Sequence, residues 1–173
     1  MHGMGQDAET WIKGYFVGTP LPLKLVDEGY NVFMGNNRGT KFSKNLKVTD
    51  KTDEAYWDFD FREMGTEDVP VIIHSINEIV GGSVIYVGYD LGNTQLFYGL
   101  TQLEDFYFNS YISSFVAFAP CVLPETKAGG FLSYEQSVGG YRDLGIYAVN
   151  GPNWASDLIK ICENLGQYAC TEA

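Results

Sequence analysis

Histidine is the scarcest chemically versatile residue in this sequence, with only His2 and His74 among 173 residues. General bases and zinc sites draw heavily on histidine, so either would have at most two positions to use. Cysteine is nearly as sparse. Its three residues lack any C-x-x-C or paired-histidine spacing, so we expect neither a metal centre nor a cofactor. Cys162 and Cys170 are near enough in sequence to close a small disulfide loop, whereas Cys121, ending an apolar run, reads as a small packed hydrophobe. Basic residues number 11 against 22 acidic ones, a formal net charge of −11 with no Lys/Arg cluster. That balance argues against a nucleic-acid partner and against an anionic membrane surface, and it reads most simply as a solvated acidic exterior. Long apolar runs are missing too. Phe115 to Phe118 with its flanks is far too short to span a bilayer. Met1 runs into His2-Gly3 with neither a basic region nor an apolar core, so no signal peptide is read there. No N-x-[ST] sequon occurs, and Gly35 to Ser43 has the wrong spacing for a phosphate loop.

What is present is a globular composition, 45% hydrophobic and 19% charged, of a length suited to one domain. Short β-branched or aromatic runs alternate with helical stretches, the pattern of a parallel α/β sheet. Pro22 to Glu28 reads as a short helix ended by Gly29, and Tyr30 to Met34 as a strand. Pro70 suits a first helical turn, and Val71, Ile72, Ser75, Ile76 and Ile79 carry a helix that stops at Gly81-Gly82. Ser83 to Val87 and Ile112 to Phe118 read as strands buried on both faces, with a helix between them ending near Leu103. Beyond Pro124 the texture loosens, although Asn153 caps one further helix through Leu165.

Gly88-Tyr89-Asp90-Leu91-Gly92, between a strand and a helix, has the G-x-[nucleophile]-x-G layout of a nucleophile elbow. Glycines flank such a turn because side chains there would strike the neighbouring strand and helix. A plain βα turn with Asp90 as helix N-cap would use the same residues. His2-Gly3-Met4 upstream matches an H-G-x motif, whose third amide supplies half of an oxyanion hole. Met4 and Leu91 are therefore the candidate donors, with the His2 ring structural. His74 reads as a surface or helix-packing residue.

These motifs join others along the chain. They include Trp11 after H-G-M-G, D-E-G-Y-N-V-F-M-G-N-N-R-G-T-K-F-S from Asp27 to Ser43, and Tyr56-Trp57-Asp58-Phe59-Asp60-Phe61-Arg62-Glu63-Met64. Asp68-Val69-Pro70, Tyr86-Val87-Gly88, Ala117-Phe118-Ala119-Pro120 and Leu144-Gly145-Ile146-Tyr147 complete the set. Together they resemble the acid lipases, the gastric and lysosomal lipases and their relatives, over almost the whole chain. The resemblance implies an α/β-hydrolase fold, with 1–124 an incomplete central core and 125–173 the start of a helical cap. It also implies secreted or endolysosomal ancestry.

Three departures shape the functional expectation. The family's nucleophilic serine is Asp90 here, with Tyr89 and Leu91 replacing the histidine and glutamine beside it. The family's catalytic acid and histidine follow its cap, beyond the last residue here, and the family has strands before its H-G motif. Aspartate does serve as nucleophile in haloalkane dehalogenases and epoxide hydrolases, at saturated carbon. Attack on an ester would instead give a mixed anhydride that reverts. The expectation is a lipase-like subunit without turnover, with another polypeptide or a large assembly covering the incomplete sheet. The alternatives are an active hydrolase completed by another chain, and a module that binds lipid or an acyl chain.

Overall fold

The computed structural model describes residues 1–13, 18–44, 48–103 and 109–120. Of these, 48–57 belong to a second, smaller unit and the rest to the main unit. In the main unit, α1 (Thr10–Lys13) and α2 (Leu21–Asp27) precede a loop through residue 44. A helical run then comprises α3 (Phe61–Glu63), a π turn (Met64–Asp68) and α4 (Val69–Val80). Strand β1 (Val84–Tyr89), helix α5 (Leu91–Gln102) and strand β2 (Ile112–Phe118) follow. In the smaller unit Glu54–Trp57 forms a 3-10 turn in which Tyr56 is buried, its ring edge-to-face with that of Trp57 at a centroid distance of 4.7 Å.

β1 and β2 pair in parallel, Tyr86 opposite Phe115 and Tyr89 opposite Phe118, with one irregularity after Val84. Parallel neighbours need a crossover, and α5 supplies it. The other edge of β1 is engaged by Met1, whose nitrogen donates to the Val87 carbonyl and whose carbonyl accepts from Tyr89 N–H at 3.1 Å. β1 is thus hydrogen-bonded on both edges near its C-terminal end. Val69 and Ile73 of α4, Tyr86 of β1 and Leu96 of α5 make the buried core. Phe115 closes it from β2, its ring 5.5 Å from that of Tyr86 and 5.2 Å from that of Phe97.

Several boundaries follow local chemistry. α2 ends where Gly29 takes φ +89°, and α4 ends on left-handed Gly81, whose N–H donates to the Asn77 carbonyl at 2.7 Å. α4 starts at Val69 with Pro70 in its first turn, as expected. A helical stretch from Phe61, opened by the reciprocal capping box of Asp60 and Glu63, runs into it through the π turn. Two expectations need correction. Tyr30 to Met34 forms no strand, since no ladder partner lies beside it among the described residues, and its side chains are largely exposed. Nor are β1 and β2 buried on both faces. α5 covers the Tyr86 face, while Ile85, Val116 and Phe118 on the other strand surfaces are 51%, 41% and 42% exposed. The expected helix from Asn153, the cap at 125–173 and all three cysteines lie outside the described residues.

Candidate functional site: the turn between β1 and α5

Asp90 occupies the single residue between β1 and α5, at φ +50° and ψ −116°. A side chain resists this backbone region, so its presence in a non-glycine residue marks a turn held by its surroundings. Its N–H donates to the Phe118 carbonyl at the end of β2 (3.1 Å), and its own carbonyl accepts from Asn93 N–H (2.9 Å) in the first turn of α5. The side chain does not cap α5, which sets aside the reading of Asp90 as an ordinary N-cap. Instead Oδ2 accepts from the Met4 backbone N–H at 2.9 Å, across 86 residues of sequence.

Gly3 makes this approach possible. A Cβ there would lie 2.9 Å from Asp90 Oδ2 and 3.0 Å from Gln6 Oε1. Gln6 in turn accepts from the Gly3 N–H at 3.1 Å, fixing the loop that presents Met4. The structure therefore brings Met4 and Asp90 together. Leu91, the other candidate donor, begins α5, and its N–H has no partner among the described residues. Gly88 and Gly92 flank the turn, and Tyr89 sets its ring edge-on to Trp11 with centroids 6.4 Å apart. Among the described residues no ion pair involves Asp90, and no three His, Cys, Asp or Glu side chains cluster as a metal site.

Both histidines are described, and neither is offered to Asp90. His2 is buried. Its Nδ1 bonds the Gly3 carbonyl at 2.9 Å and its Nε2 accepts from Asn37 N–H at 3.2 Å, which defines a neutral ring protonated on Nδ1. Burial lowers its pKa, partly offset by the bond to Gly3. A second proton would face the Asn37 N–H donor to donor. Because the folded ring binds a proton less readily than the unfolded one, stability is complete above the unfolded value of about 6.5 and declines as pH falls below it. Urea titrations at pH 7.5 and 5.5 should show a smaller acid loss for His2→Gln, which retains an acceptor but cannot titrate. Equal losses in both proteins would refute the assignment. His74 lies exposed on α4, 3.5 Å from Glu78 and beside the Tyr111 ring.

Further hydrogen bonds hold the His2 loop. Asn36 Oδ1 accepts from Ala8 N–H at 2.9 Å, and Asn37 bonds His2 as described. The next residue, Arg38, is anchored to the π turn. Asp68 accepts from Arg38 N–H (2.9 Å), Nε (2.8 Å) and Nη2 (2.7 Å), and Glu67 accepts from Nη2 at 2.6 Å. Burial opposes the Arg38 charge, but these bonds outweigh it and raise its pKa. Sequence reading singled out neither Gln6, Tyr86 nor Asn93 for the site. An asparagine three places after the turn residue, on the helix face toward the sheet, was the one local hint.

The strand–turn–helix, its parallel partner strand and the covering helices are compatible with part of the α/β-hydrolase fold that the lipase relatives imply. No family model matches the chain. It is similar to a probable lipase of Schizosaccharomyces pombe, 33% identical over 125 residues, covering 72% of this chain and 26% of that protein. Human lipase member N is 35% identical over 105 residues, 60% of this chain and 26% of its own length. Human lysosomal acid lipase/cholesteryl ester hydrolase is 30% identical over 135 residues, 74% of this chain and 33% of its own length. The chain is related to the acid lipases. It spans between 26% and 33% of these three relatives. Among the described residues, no helix is long and apolar enough to cross a membrane.

Proposed function

We propose that this chain is a lipase-related domain that does not hydrolyse esters at the β1–α5 turn and serves instead as a binding or structural component. The observation that carries this reading is the 2.9 Å hydrogen bond from Met4 N–H to Asp90 Oδ2. In the elbow reading, Asp90 stands where an acyl-transfer nucleophile would stand and Met4 supplies an oxyanion-hole amide. A carboxylate there attacks an acyl carbon only to form a reversible anhydride. It also holds the very donor that would stabilise a developing oxyanion. Both His2 nitrogens are engaged and His74 lies exposed on α4 beside Glu78, so neither of these histidines is placed to activate a nucleophile at Asp90.

The chain should show no turnover of a short-chain p-nitrophenyl ester above buffer, and none after Asp90→Ser, because a serine without a base stays a weak nucleophile. Multiple turnovers by either protein would overturn the proposal. Two further parts of the reading rest on single observations. The exposed strand surfaces at Ile85, Val116 and Phe118 support cover by another polypeptide, an idea that a monodisperse, cooperatively melting monomer would contradict. The lysosomal relatives support an endolysosomal or secretory setting, testable by locating the tagged protein in its own cell.

A further inference from the structure

Asp90 holds a demanding backbone conformation without being glycine, so the groups that enforce it need an account. The Phe118 carbonyl takes two hydrogen bonds there, from Asp90 N–H at 3.1 Å and from Asn93 Nδ2 at 2.7 Å. Asn93 is fully buried, an unfavourable place for an amide unless its bond is needed. Gly88 provides the space, since a Cβ on Gly88 would overlap the Asn93 amide oxygen. From the opposite side, the buried Tyr86 hydroxyl donates to the Gly92 carbonyl at 2.7 Å and accepts from Gln95 Nε2 at 3.1 Å. The first turn of α5 is thus tied to β2 through Asn93 and to β1 through Tyr86, with Asp90 between the ties.

We propose that Asn93, aided by Tyr86, is a positioning residue that sets the Asp90 carboxylate on the Met4 amide. This rests on the reading of the β1–α5 turn given above and extends it to the residues that hold the site in shape. It also gives Gly88 a specific task, to admit the Asn93 amide, beyond keeping the turn tight.

Amide exchange and the proton chemical shift of Met4, followed by NMR in the whole chain, test the proposal. Asp90→Ala sets the reference for a Met4 amide without its acceptor. Asn93→Ala should move the Met4 resonance toward that reference and speed its exchange about tenfold, the worth of one hydrogen bond. Tyr86→Phe keeps the packing and should fold even where Asn93→Ala does not; it should move Met4 in the same direction by a smaller amount. Asn77→Ala, which loses a comparable side-chain bond to the Gly82 carbonyl (3.0 Å), should leave Met4 unchanged. If Tyr86→Phe and any folded Asn93→Ala keep the wild-type Met4 signal, the positioning role is wrong. If wild type itself matches Asp90→Ala at Met4, the site reading beneath it fails instead.

Discussion

Gly92→Ala should destabilise the protein by about 3 kcal/mol, although alanine is the better helix former. Gly92 lies in the first turn of α5, where helix propensity alone favours alanine over glycine by about 1 kcal/mol. The opposing term is steric. A Cβ at this position would lie 2.6 Å from the Met1 carbonyl oxygen and 2.9 Å from that of His2. These are backbone atoms, and the Met1 carbonyl is already bound to Tyr89 N–H, so they cannot swing aside as a flexible side chain would. Relief requires moving the His2 segment off β1 or tilting α5, the kind of overpacking that typically costs about 1–3 kcal/mol and sometimes more. The collision should win. Equilibrium urea unfolding of both proteins decides it, and a variant as stable as wild type would mean that the two segments are not in contact as described.

Asp68→Ala should cost a similar amount, about 2–3 kcal/mol, by a different route. The substitution removes three hydrogen bonds to Arg38 and leaves a guanidinium whose side chain is only 15% exposed. Breaking a fully buried pair costs about 3–5 kcal/mol, and the surviving bond to the more exposed Glu67 reduces that figure. The effect should also reach the site, because the residues just before Arg38 bond His2 and Ala8. Glu67→Ala, by contrast, removes a partner that is 47% exposed and should cost well under 1 kcal/mol. Chemical denaturation of the two variants side by side checks the ranking. Equal losses, or a larger one for Glu67→Ala, would reverse the assignment of Asp68 as the anchor.

Much of the α/β framework was legible because local signals and tertiary contacts agree. β1, α5 and β2 fall within a residue or two of their expected bounds, since apolar runs encode them locally, with Gly81-Gly82 before β1 and Ala119-Pro120 after β2. The ends of α2 and α4 were equally clear, each closed by a glycine with positive φ. The helical onset at Phe61 was missed because a π turn disguises the continuity of two helices that proline seems to separate. Tyr30 to Met34 has strand-like residues, but strand structure needs a neighbour and sequence does not say where one lies. At the site, motif spacing pointed to Met4 and Asp90. It could not point to Tyr86, Asn93 and the Phe118 carbonyl, whose roles depend on two strands and a helix converging.

Sequence separation also sets an order of events in time. Tyr86 and Phe115 pair across 29 positions, whereas Met4 and Asp90 meet across 86. Loop-closure entropy grows as the logarithm of length, so the longer contact is dearer by about 1 kcal/mol in chain entropy. During folding, β1, α5 and β2 would therefore shape the turn before the Met4 segment arrives, and the carboxylate would face water in the interval. Pulse-labelled exchange would register this as protection in α5 ahead of protection at Met4. The Asp90–Met4 hydrogen bond is then a late latch on a turn already made, and its opening can be a local fluctuation that leaves the rest of the fold intact.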